Sequence, residues 1–74
     1  MEEIALIMLK PDDVGRIKEI TGCQDVRKRL FELGLNRGAQ VKMVKNDIGP
    51  VILTLSGTKL ALGRGLASKI IIQR

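Results

Sequence analysis

Apolar positions along this 74-residue chain recur at two periods, and they divide it into one short helix among a series of strands. Ile4 to Leu9 is a nearly continuous apolar run that fits a strand or part of a turn. Lys10-Pro11-Asp12-Asp13 then breaks it, because proline fixes its own backbone and pushes the preceding residue toward extended geometry. From Val14 to Ile20 the apolar residues fall at Val14, Ile17 and Ile20. With Gly15 and the β-branched neighbours, that spacing predicts a bent strand.

The clearest helix is predicted over 24–33, where Val26, Leu30 and Leu33 share one face and Thr21 or Asp25 supplies the cap. Gly34 follows as the left-handed stop that helix C-termini favour. A helix this short is unstable alone, so it must dock on the rest of the fold.

Beyond it the pattern alternates. Val41 to Val44 is one strand, 46–50 is a turn rich in breakers, and Val51, Leu53 and Leu55 line one face of the next strand. Ser56-Gly57 turns the chain into a strand over Thr58 to Leu62, residues 64–68 hold a helical turn, and Lys69 to Gln73 closes as a β-branched strand. About five short strands and one helix leave many sheet edges to protect. The expected fold is therefore mainly β: a single domain over 1–74, built as a small closed or nearly closed barrel of the SH3-like kind.

Composition sharpens this picture in three ways. A domain this small buries only about 60% of the surface its unfolded chain exposes, so the core must be compact. The 45% of hydrophobic residues are almost all aliphatic, and Phe31 is the only aromatic. Thirteen Lys and Arg against eight Asp and Glu give a net charge of +5, which suits an acidic protein face, an anionic surface or nucleic acid. Cys23 is the only cysteine, so no internal disulfide can form and a reducing cytoplasm is the expected compartment. The apolar run near the start is too short for an export signal or a membrane span.

Catalytic chemistry is hard to find. With no His, the commonest general base and the commonest transition-metal ligand are both missing, and no enzyme is expected. Cys23 is expected to be a small buried hydrophobe. Asp12 with Asp13, and Cys23 with Asp25, are the only close pairs of metal-ligand types, and both are weak candidates. Gly63-Arg64-Gly65 lacks the third glycine and the βαβ context of a phosphate loop. Arg27-Lys28-Arg29 is the densest basic cluster, but consecutive helical residues diverge around the axis, and the chain lacks aromatic platforms for bases. Nucleic acid therefore ranks below a protein partner.

The order of motifs carries more than any one of them. Gly15-x-Ile17-x-x-Ile20-x-Gly22, then Arg27-Lys28-Arg29-Leu30-x-Glu32-Leu33-Gly34-Leu35-x-x-Gly38, then Gly49-Pro50, Gly57-x-x-Leu60-Ala61-Leu62 and Ala67-x-x-Ile70 resembles the FeoA family along almost the whole chain. The resemblance implies an SH3-like barrel with an inserted helix. It also implies a cytoplasmic, non-enzymatic accessory role in ferrous iron uptake, exercised by contact with the FeoB-type membrane GTPase transporter. Binding of a transition metal ion is a further implication, through kinship with iron-dependent repressor domains. Two positions depart from the family's pattern: Asp12 replaces a glycine after the early proline, and Gly63 replaces a basic residue after Ala61-Leu62.

On this reading Arg27, Arg29, Leu35, Arg37 and Arg64 are expected near the partner-binding surface, with no small-molecule substrate and no resident cofactor. A weak homo-oligomer is compatible with the sequence. The competing readings are a metal-responsive module related to the C-terminal domains of iron-dependent repressors, and a small nucleic-acid-binding barrel.

Overall fold

The computed structural model describes residues 2–74 and contains six strands, two helices and a 3-10 turn. In chain order these are β1 (Glu3–Ala5), the 3-10 turn (Leu6–Met8), β2 (Val14–Ile20), α1 (Gln24–Glu32), β3 (Gln40–Lys45), β4 (Val51–Leu55), β5 (Thr58–Leu62), α2 (Arg64–Ala67) and β6 (Ile70–Gln73). The extra strand relative to the expected five is β1, because the first apolar run divides into a strand and then a turn. One antiparallel sheet runs β1-β6-β2-β3-β4-β5. Its two edges do not pair. Instead the 3-10 turn after β1 and α2 after β5 pack together across the gap, leaving a nearly closed barrel.

The core is wholly apolar. Leu6, Leu9, Ile17, Leu30, Leu35, Val41, Met43, Val51, Leu53, Leu62, Ala67, Ile70 and Ile72 form one buried cluster that draws on almost every element. Alternation in β4 is as expected, with Val51 and Leu53 buried and Leu55 half-buried. In β2 the inner positions are Gly15 and Ile17, while Val14 faces outward. A bulge between Ile17 and Glu19 then shifts the register against β6, which turns Ile20 back toward the core. The three-residue spacing of Ile17 and Ile20 is thus a strand spacing with one residue inserted.

The helix ends as a Schellman motif. Gly34, at φ +89°, donates its N–H to Phe31 O, and Leu35 donates to Leu30 O at 3.0 Å. That hydrogen-bond pair carries the chain sharply inward and brings Leu35 beside Leu30 in the core. Leu33, placed on the buried face by periodicity, sits at the C-cap and is 39% exposed. The start of the helix also differs from expectation. Cys23 is the N-cap residue and makes no side-chain cap bond, while the Thr21 hydroxyl donates instead to Lys69 O. Cys23 is exposed, so it is not the buried hydrophobe its residue type suggested.

Residues 10–13 form a tight turn with proline at its second position and Asp12 at φ +75°, closed by Asp13 N–H to Lys10 O at 3.0 Å. Asp12 therefore occupies the left-handed conformation that a glycine adopts without steric cost. The Asp12→Gly variant is expected to raise stability by about 0.5 kcal/mol, read as a higher thermal midpoint. An unchanged or lower midpoint would show that the aspartate is not strained there.

Candidate functional site

The expected surface residues do not share one surface. Leu35 is fully buried and belongs to the core, so it cannot present its side chain to a partner. Arg64 is committed within the fold. Its Nη2 donates to Asn46 Oδ1 at 2.9 Å and also to the carbonyl of Asp47. Asn46 in turn donates through Nδ2 to Ile7 O and Leu9 O, both at 2.7 Å. This side-chain latch joins the 3-10 turn, the β3–β4 loop and α2 across the open side of the barrel. Its amide orientation follows from its partners, since only the nitrogen can donate to two carbonyls.

Arg27 and Arg29 diverge around α1. Arg29 lines a shallow depression with Asp25, Val26, Lys28, Glu32 and Leu66. Arg27 faces the other side, into a larger open groove of about 540 Å³ shared with Arg37. Glu19 and Ile20 of β2, Phe31 of α1 and Asn36 of the following loop complete the groove, and buried Leu35 backs it.

The groove's walls are set by the same backbone that ends the helix. After Leu35 has been drawn inward, Gly38 donates to Ile17 O at 2.6 Å and Ile17 donates to Ala39 O at 2.9 Å. Arg16 Nη1 adds a bond to Gly38 O at 3.1 Å. The loop carrying Asn36 and Arg37 is therefore stitched to β2, opposite α1. Phe31, the one aromatic of the chain, is 66% exposed here. Arg27 lies one turn before it on the same helix, so the two side chains are neighbours. Neither Arg27 nor Arg37 forms an ion pair among the described residues, where the salt bridges are Lys18–Glu3, Lys42–Asp12, Arg74–Glu2 and Arg74–Asp13. The four-residue spacing of Arg27 and Phe31 on the helix is a signal that could have paired them, but nothing in the sequence placed Glu19 or Ile20 beside them.

The weak metal candidates do not assemble. Asp13 Oδ2 accepts from Lys10 N–H at 3.0 Å and from Arg74 Nη1 at 2.9 Å. Those partners, the Lys10 backbone N–H first, hold its carboxyl below the usual aspartate value against the opposing effect of desolvation. The exposed Asp12 carboxylate faces Lys42 at 3.9 Å. No group of three or more His, Cys, Asp or Glu converges among the described residues, so these four do not form a donor set for a transition metal. No helix of the structure is long and apolar enough to cross a membrane.

Comparison with known proteins gives this geometry its setting. The FeoA domain model matches residues 4–74. The chain belongs to the FeoA family. It is 39% identical over 57 residues to a protein of Methanocaldococcus jannaschii named "Putative Fe(2+) transport protein A", a match spanning 77% of this chain and 70% of that one. It superposes on the crystal structure of an iron uptake regulatory protein, FeoA, with a TM-score of 0.92 and 29% identity over 97% of each chain. A manganese-dependent transcriptional repressor in complex with manganese matches at a TM-score of 0.90 and 16% identity, over 96% of this chain but 36% of the repressor. That last likeness is one of fold: the same SH3-like barrel serves as one part of a longer protein.

Proposed function

We propose that this FeoA-family chain is a non-enzymatic cytoplasmic accessory protein of ferrous iron transport, acting by contact with a membrane transporter of the FeoB type. The observation that carries this reading is the groove between α1 and β2. It joins an exposed aromatic ring to two guanidinium groups without ion-pair partners, on a scaffold whose backbone is hydrogen-bonded around it. Exposed aromatic rings and arginines are both enriched at protein-binding surfaces. Family membership and likeness to named iron-transport proteins supply the transport context.

The inventory of side chains supports binding over catalysis. The chain has no His, its one thiol is exposed at a helix start, and its acidic residues are dispersed. Immobilised chain is expected to retain the cognate transporter from detergent-solubilised membranes, and to release it as salt rises, because arginine contacts at a protein surface are screened. Failure to retain the transporter even at low ionic strength would remove the reading.

A further inference from the structure

We infer that the groove between α1 and β2 receives an acidic amphipathic peptide segment of the protein partner, one apolar side chain lying against Phe31 and Ile20 while carboxylates engage Arg27 and Arg37. The inference rests on the proposed accessory role and specifies where on this chain, and by what chemistry, the partner docks.

The groove offers a partner both apolar surface and unpaired positive charge. Its floor is apolar: Ile20 packs partly against the core, and Phe31 leaves two-thirds of its surface uncovered. Leaving so large a ring in water forgoes the favourable burial its area would give. Two guanidinium groups line the same groove against a single carboxylate, Glu19, so the local charge is net positive. Elsewhere among the described residues four acidic groups, Glu2, Glu3, Asp12 and Asp13, are engaged by cations of this chain. The partners suited to Arg27 and Arg37 are carboxylates from outside, which guanidinium groups bind in bidentate fashion.

Peptide is favoured over nucleic acid by the same inventory. A single-stranded chain needs successive stacking platforms and a continuous basic track, whereas here there is one ring in the whole protein. Glu19 would also repel a phosphate backbone at the groove, while it can accept a hydrogen bond from a peptide N–H.

The chain provides its own reporter for the test. With one Phe and no Tyr, Trp or His, every aromatic side-chain proton signal in heavy water, once amides have exchanged, belongs to Phe31. The intact, unlabelled protein is titrated with a short amphipathic peptide of Leu, Ala, Asp and Glu, and separately with its counterpart in which Lys replaces the acids. The acidic peptide is expected to shift the Phe31 ring signals saturably, and the lysine peptide to leave them in place. In Arg27→Glu/Arg37→Glu, affinity for the acidic peptide should fall about tenfold or more. The equally charge-changing control Lys28→Glu/Lys59→Glu, which lies outside the groove, should bind as the parent does.

Equal weakening by both double variants would reduce the effect to net charge and overturn the inference. So would ring signals that do not respond to the acidic peptide, or a saturable shift of the chain by single-stranded oligonucleotide that the peptide cannot compete away. Transporter retention tells the two readings apart. If retention persists undiminished in Arg27→Glu/Arg37→Glu, the groove assignment fails and the accessory role stands. If the peptide binds the groove but no transporter is retained, the accessory role fails instead.

Discussion

Gly15→Ala is expected to be among the most damaging single substitutions in this protein, costing about 3 kcal/mol in an equilibrium urea unfolding experiment. Gly15 lies in the middle of the barrel wall, paired with Val41 of β3, and is buried. A Cβ built on it would stand 2.2 Å from Cγ2 of Ile72 and 3.4 Å from the carbonyl of Gln73. Ile72 cannot step aside, because its side chain is fully buried in the core and its backbone pairs with both β1 and β2. Small domains have only a few kcal/mol in reserve, so a loss of this size brings the chain to the edge of unfolding. Leucine lacks the branch methyl at Cβ that makes the clash. Gly15→Ala/Ile72→Leu should therefore recover part of the loss, giving a favourable coupling energy in a double-mutant cycle. Strict additivity of the two single effects would refute the steric account.

The second large effect is expected at Asn46. Changing Asn46→Asp removes the two amide donors that satisfy Ile7 O and Leu9 O and sets a carboxylate against both carbonyls. The bond to Arg64 is preserved in that variant, because only the acceptor Oδ1 faces the guanidinium. We expect a loss of about 2–3 kcal/mol, the penalty of leaving partly buried carbonyls unpaired less what water restores. Asn46→Ala should cost a similar amount. If Asn46→Asp were instead as stable as the parent, the ion pair with Arg64 would outweigh the carbonyl bonds and the latch would be electrostatic.

These two sites mark where the sequence was legible and where it was not. Local signals were clear. Gly34 announced the helix end, Ser56-Gly57 the hairpin, and the alternation of Val51, Leu53 and Leu55 a half-buried strand, each because a short-range steric rule governs it. The last residue of the apolar stripe misled for a physical reason. Periodicity assigned Leu33 to the buried face, but the Schellman turn ends the helix before that position and swings Leu35 inward in its place. Cys23 misled because a residue's average burial does not hold at a helix N-cap.

The candidate site was only half visible. Arg27 and Arg37 line the groove together, Arg29 turns to the other side of α1, and Arg64 is drawn into the latch. Side-chain hydrogen bonds across 37 and 39 residues, such as those of Asn46, leave no periodic trace in a sequence. Nor does the pairing of a helix face with a strand that the chain visited ten residues earlier. Such long-range juxtapositions follow from topology alone.

One feature of that topology bears on how the molecule yields to force. The first and last strands lie side by side and run in opposite directions, with Glu2 and Arg74 hydrogen-bonded to each other through both backbone groups. Tension applied at the two tails would load the rungs between them one at a time, as in a zipper. Detachment past β1 would then meet the buried Leu6 side chain and the Asn46 amide that grips Ile7 and Leu9, which together would act as a mechanical catch.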